Sequence, residues 1–251
     1  MFYLRERSLR SGTPAFQRLE SDGLLFPEQT IAYDWALRGN YEDSLIQWAK
    51  TLIDPAKVFL DIGAHVGTYS LGLAPVCAGV HSFECFPRTY NYLCANIALR
   101  GLDDRITPHC TALGDTVGTV QYIVRSPDGG GNTCLPLGGE SRPLPCTTLD
   151  SFGLDSVGLI KLDVEGYEVN VLRGAQETLR RSGYPLLLFE SWSEARDAEG
   201  LPASRLRAEL GAYLTTLGYR IVPVRGWEEM FLAEHTGTDA SPSVGAESEE
   251  A

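Results

Sequence analysis

Apolar positions along the chain change their period several times, and each change marks a predicted element. Residues 41–53 (YEDSLIQWAKTLI) place Leu45, Ile46, Trp48, Ala49, Leu52 and Ile53 at helical spacing, which predicts an amphipathic helix. From Lys57 onward short apolar runs read as strands: VFLDIG (58–63), VHSFE (80–84), ITPHCTALGD (106–115), LIKLDVEG (159–166) and YPLLLFES (184–191). Helical stretches such as 89–99 and 168–181 separate them. Apolar runs alternating with helices predict an α/β fold, a mostly parallel sheet with helices on both faces.

Two stretches depart from that alternation. In residues 117–147, VGTVQYIVRS reads as a hairpin arm and the following SPDGGGNTCLPLGGESRPLP as a Gly/Pro-rich loop, together a candidate substrate lid. Near the end, GYRIVPV (218–224) and EMFLAEH (229–235) read as two strands forming an antiparallel edge hairpin. Residues 1–40 show no sustained period and read as a leader. Residues 236–251 lack apolar pattern, carry Asp239, Glu247, Glu249 and Glu250, and read as a disordered acidic tail. The catalytic domain expected between them spans 41–235.

Composition narrows the partners. A hydrophobic content of 43% over 251 residues suits one core, whereas the net charge of −12 repels phosphate backbones, and no basic patch offsets it, so nucleic acid is not expected as substrate. The six cysteines, Cys77, Cys85, Cys94, Cys110, Cys134 and Cys146, form no C-x-x-C pair, so spacing suggests neither zinc nor a redox dithiol. With no apolar leader core and no run of about 18 apolar residues, the expectation is a cytoplasmic protein with no membrane association.

The strongest chemical signal is VFLDIGAHVGTYS (58–70), a buried strand ending in Asp61 and followed by glycines before a helix. Gly63 and Gly67 allow a sharp turn and close approach of a ligand, and the helix start offers N–H groups to an anion. A phosphate loop would need Lys before Ser or Thr, and Val66-Gly67-Thr68 has none. A dinucleotide fingerprint from Gly63 would need glycines where His65 and Thr68 stand. An adenosylmethionine loop fits better, because Asp61 can pair with an ammonium. Glu84 ends the next strand 23 residues after Asp61, the spacing at which an acid bonds ribose hydroxyls. Asp115, or the backbone near Ala112 and Leu113, falls where an adenine edge would be read.

The segment LIKLDVEGYE puts Asp163, Glu165 and Glu168 at the carboxyl edge of the sheet, with Lys161 inside the strand. Glu190 ends the next strand at the same edge. A carboxylate there can act as general base on a hydroxyl, hold a divalent metal with its neighbours, or orient the substrate. The structural alternative is that Asp163 caps the next helix and Glu168 favours its first turn. His65 and His235 are further candidate bases.

VFLDIGAHVGTYS, FECFPRTYNYLCANI, TALGD, PCTTLDSF, IKLDVEGYEVNVLRGA and LLLFES, in this order, resemble the FkbM-type methyltransferases over roughly residues 57–235. The resemblance implies a Rossmann-like class I fold, S-adenosylmethionine as cofactor, and O-methylation of a sugar, glycan or small natural product. It implies that Asp61, Gly63 and Gly67 hold the methionine end, Glu84 the ribose and Asp115 the adenine; with their neighbours Ala64, His65, Thr68, Tyr69, Cys85 and Ala112 these are the expected cofactor contacts, while the residues themselves point to Asp163, Glu165, Glu190 and His65 as the catalytic candidates. The family pattern usually carries Asn where this chain has His65. Two rivals remain: an NAD-dependent oxidoreductase, disfavoured by the glycine spacing, and a non-catalytic module of the same fold.

Overall fold

Strands buried on both faces need apolar side chains pointing both ways, and the run from Val58 to Ile62 supplies them. Phe59 packs with one set of helices, while Leu60 and Ile62 pack with the other. The computed structural model of the protein describes residues 16–18, 25–27, 42–125 and 131–237. In chain order the elements are the strands β1 (Phe16–Arg18) and β2 (Leu25–Pro27), helix α1 (Asp43–Ala49), β3 (Val58–Ile62), α2 (Thr68–Leu73), β4 (Gly79–Phe83), α3 (Pro87–Arg100), β5 (Ile106–His109) and β6 (Ala112–Leu113). They continue with β7 (Gly118–Val124), β8 (Glu140–Thr147), β9 (Val157–Leu162), α4 (Glu168–Arg173), α5 (Gln176–Arg181), β10 (Leu186–Glu190), α6 (Ala203–Thr216), β11 (Tyr219–Pro223) and β12 (Met230–His235).

The central sheet has seven strands in the order β11-β12-β10-β9-β3-β4-β5. Its β10, β9, β3, β4 and β5 are parallel, and β12 runs antiparallel between β10 and β11. This is the edge hairpin expected at 218–235. Leu45, Leu73, Leu93 and Ile97 of α1, α2 and α3 cover one face with Phe59 and Leu159. Val171, Leu179 and Leu210 of α4, α5 and α6 cover the other with Leu60 and Ile160. The strand order reverses between β3 and β9, and in open α/β sheets ligands bind at the carboxyl ends beside that reversal.

Three expectations are corrected. The segment 106–115 is not one strand: β5 ends at His109, and Ala112 and Leu113 pair with Cys146 and Thr147 in a separate sheet, order β6-β8-β7. The helix expected over 168–181 is two, parted at Gly174, where a Cβ would stand 1.9 Å from the Gly114 carbonyl oxygen. The loop expected over 126–145 contains most of strand β8, in which Pro143 and Pro145 pair opposite Gln121 and Thr119. Two apart, these prolines lack N–H groups on the same edge, so the other edge can pair with β7. Residues 126–130 and the tail beyond 237 lie outside the described residues, as does most of the expected leader. Within that leader β1 and β2 form an antiparallel ribbon. No helix among the described residues is long and apolar enough to cross a membrane.

Candidate active site

The loops that follow β3, β4 and β9, with the distal part of the arm, enclose a cleft of about 400 Å³. That volume falls in the range of small-molecule sites. Gly63, Ala64, His65, Thr68 and Tyr69 form one wall, Glu84, Cys85, Thr111, Ala112 and Leu113 a second, and Asp163, Glu165 and Glu190 a third. The arm contributes Tyr122, Gly131, Asn132, Thr133 and Cys134 as a roof. The arm thus lines the same cleft as the three loops.

The glycine loop owes its shape to protein contacts. Gly63 has φ +82°, and a Cβ there would stand 1.7 Å from the Asp163 carbonyl oxygen, so only glycine lets this loop pass β9. Gly67, at φ +95°, is pressed by Leu93 of α3 and does not line the cleft. Three non-glycine residues that line the cleft are also left-handed: Glu42 at φ +51°, His65 at φ +51° and Glu165 at φ +56°. Such backbone is disfavoured for L residues and concentrates at functional sites.

Asp61 lies beneath the cleft rather than on its wall. Its register partners across the sheet are Ser82 on β4 and Lys161 on β9. Asp61 Oδ2 accepts from the Ser70 N–H at 2.9 Å and the Ser70 hydroxyl at 2.5 Å, and Ser70 contacts Ser82 at 2.7 Å. Its Oδ1 is buried with no hydrogen-bond partner, and burial raises the carboxyl above its ordinary pKa. Lys161 donates to Asp163 Oδ2 at 2.7 Å, so Asp163 does not cap the following helix. Burial alone would drive the Lys161 ammonium to lose its proton, but Asp163, Asp61 and Glu42 hold it above its ordinary value.

Glu84 accepts from the Phe86 N–H at 2.8 Å and the His65 N–H at 3.0 Å, which ties the β4 loop to the β3 loop. Burial pushes its carboxyl up to about 7. Asp115 is exposed and stands outside the cleft wall, because the turn after β6 carries it away; Thr111, Ala112 and Leu113 remain at that end. His235 stacks on Tyr184 at 4.2 Å and does not line the cleft.

Carboxylate oxygens of Asp163, Glu165 and Glu190 lie within 4.8 Å of one another. Burial and the neighbouring carboxylates Asp163 and Glu165 push Glu190 well above its ordinary pKa, and it shares its proton with Asp163. Burial would raise Asp163 as well, but Lys161 and that shared proton bring it below the usual range. Burial and the Asp163 charge push Glu165 up to about 7. Glu165 Oε1 accepts from the Gly131 N–H at 2.9 Å, and its carbonyl oxygen accepts from the Thr133 hydroxyl at 2.7 Å, which clamps the arm to the site. Arg196 stands 3.5 Å from Glu190 and is fixed by Glu229, to which its Nε donates at 2.8 Å. Glu168 accepts the Val164 and Gly166 N–H groups at 3.2 and 3.1 Å, the helix-start role the sequence offered as its alternative.

The triad has the donor types of a divalent-cation site but not its free valences. Lys161 and Arg196 already supply positive charge to Asp163 and Glu190, so the donor set leaves a resident metal little uncompensated charge. Glu42, Lys161, Arg196 and the arm residues were not among the expected site residues. Lys161, a charge inside an apolar strand, and the Gly/Pro-rich arm left a signal in the sequence; Glu42 and Arg196 left none.

A five-strand parallel core with a cleft at its reversal point, an acid following the strand beside the glycine loop, and a part-buried carboxylate cluster define a Rossmann-like ligand-binding fold. The chain belongs to the methyltransferase FkbM domain family, whose profile matches residues 61–221, and that family uses S-adenosylmethionine. A similar solved structure is that of precorrin-6y C5,15-methyltransferase from Geobacter metallireducens GS-15, 12% identical, covering 86% of this chain and 96% of that one with a TM-score of 0.50. A SAM-dependent methyltransferase from Aquifex aeolicus is 16% identical over 77% of this chain and 97% of its own, with a TM-score of 0.43. No curated protein matches the chain. The family membership sets the NAD-dependent reading aside.

The cleft fits the cofactor on its own residues. Its size suits an adenosyl ligand, Glu84 lines it just beyond β4, and three carboxyl groups gather around the single Lys161 ammonium.

Proposed function

We propose that the protein is an O-methyltransferase acting on a hydroxyl of a sugar, glycan or small natural product, with Glu165 as the general base. The observation that carries this reading is the cleft-lining triad of Asp163, Glu165 and Glu190, three carboxyl groups with oxygens within 4.8 Å of one another and burial and charges that push their pKa values apart. Bound S-adenosylmethionine supplies an activated methyl group, so the protein has only to align an oxygen and take its proton. Asp163, held ionised by Lys161, is a weak base, and Glu190 is already protonated. Glu165, near 7, has the basicity that proton removal at neutral pH favours. Arg196, which also lines the cleft, then acts as donor to other oxygens of the acceptor, which suits a polyhydroxylated molecule. Glu84 is assigned to the ribose, Thr111 to Leu113 to the adenine edge, and the loop from Gly63 to Tyr69 to the methionine end. The acidic wall and the overall charge of −12 argue against a phosphate-rich acceptor at this point.

The test is a methyl-transfer assay with labelled S-adenosylmethionine against sugars and hydroxylated natural products. A product methylated on oxygen is expected, and Glu165→Gln should lower turnover at least about a hundredfold while S-adenosylhomocysteine still binds. Methylation of nitrogen or carbon acceptors only, or full activity of Glu165→Gln, would overturn the reading. Adenosylhomocysteine binding without transfer to any acceptor favours the non-catalytic module. Activity is further expected to survive chelation of divalent ions, and a strict need for added magnesium or manganese would contradict the misfit of the triad to a metal.

A further inference from the structure

The cleft has an anionic floor that the chemistry above leaves unused. Glu42 lines it from the start of α1, a position outside the matched family segment. Its carboxyl takes a hydrogen bond from the Tyr69 side chain, and its left-handed backbone, with the carbonyl accepting the Ile46 N–H at 2.9 Å, fixes where it points. Lys161 stands over the same Tyr69 ring at 5.1 Å. Around that single ammonium gather Asp163, Asp61 and Glu42, three carboxyl groups against one cation. Lys161 donates a hydrogen bond to Asp163, and Asp61 Oδ1 is left buried with no hydrogen-bond partner.

We propose that Glu42 is the anchor for the α-ammonium of the methionine moiety, completing the loop of Gly63 to Tyr69 on that side of the cleft. This rests on the cleft being the adenosylmethionine site. An ammonium placed beside Glu42 offsets the burial that holds its carboxyl protonated and draws it into the ionised form, and an ammonium donates hydrogen bonds that a sulfonium cannot. Asp61, which the sequence offers for this role, is instead turned to Ser70 below the wall and supports Lys161 from beneath. Glu42 therefore reads the amino-acid end of the ligand and leaves the nucleoside end to Glu84. It is a binding residue and takes no part in proton removal.

The experiment is calorimetric titration of the full chain and of Glu42→Gln and Glu42→Asp. The ligands are S-adenosylhomocysteine, its analogue lacking the amino group, and 5′-methylthioadenosine, which lacks the whole amino-acid end. In the wild type the amine-bearing ligand should bind at least tenfold tighter than the desamino analogue, about 1.4 kcal/mol. Glu42→Gln should abolish that preference and leave methylthioadenosine affinity unchanged. Glu42→Asp, which keeps the charge but draws it back by one methylene, should retain part of the preference and serves if the Gln variant does not fold. Equal losses for all three ligands, or a preference undiminished in both variants, would overturn the assignment. Failure of the wild type to bind any of the three would instead remove the cofactor-site reading itself.

Discussion

His65, Glu165 and Glu42 share a left-handed backbone, and at position 65 that conformation accounts for the residue type better than side-chain chemistry does. Asn and His tolerate it far better than β-branched residues. An Asn at position 65, as the resemblance leads one to expect, would suit the same backbone shape, and the His65 N–H donates to Glu84 whichever side chain is present. His65→Asn is accordingly expected to leave unfolding midpoint and S-adenosylhomocysteine affinity nearly unchanged. His65→Val should cost about 1–2 kcal/mol in denaturant unfolding. Equal effects of the two changes would return a side-chain role to His65. At Glu165 the raised carboxyl has a kinetic consequence. A base must be ionised to act, so turnover should rise with pH through about 7 and level off above it, and the residual activity of Glu165→Gln should lose that step.

At the scale of elements, what the sequence made readable was what local pattern controls. β3, β4, β9 and β10 follow from apolar runs buried on both faces, and the edge hairpin from two runs joined by a turn. The misread elements have tertiary causes. Nothing local in 168–181 signals that Gly174 meets the Gly114 backbone, and prolines at 143 and 145 count against a strand unless one edge goes unpaired. The site divides the same way. Glu84, Asp163, Glu165 and Glu190 were legible because they end or follow sheet strands. Glu42, Asn132 and Arg196 were not, because they reach the cleft from α1, the arm and the turn after β10. The Gly174 contact yields a prediction of its own. A methyl group 1.9 Å from a carbonyl oxygen cannot be absorbed by a side-chain rotation, so Gly174→Ala must part α4 and α5 from β6. A destabilisation of at least about 2 kcal/mol is expected in denaturant unfolding, against about 1 kcal/mol for Gly183→Ala, which meets nothing within 4 Å and has only its φ of +73° to strain. A smaller loss at 174 than at 183 would show that this junction yields.

Across the whole molecule, burial of acids sets how stability depends on pH. Glu42, Glu84, Glu165 and Glu168 are each pushed to about 7 chiefly by desolvation. In the unfolded chain they release their protons near the ordinary glutamate value, so between about 4.5 and 7 the folded state holds protons the unfolded state has lost. Stability from these groups is complete below that range and falls as pH rises through 7. Asp163 acts in the opposite sense: held down by Lys161, it loses its contribution only as pH drops below the usual aspartate range. The two trends place the maximum of thermal stability of the free protein on the acid side of neutrality, near pH 5. They also oppose function, since Glu165 must ionise to take a proton, so the enzyme is expected to work best where its empty fold is past its most stable point. Melting temperatures recorded from pH 4 to 9 test this. A maximum at or above pH 8 would mean that these carboxyls are ionised in the folded chain, and the base assigned to Glu165 would then lose its raised pKa.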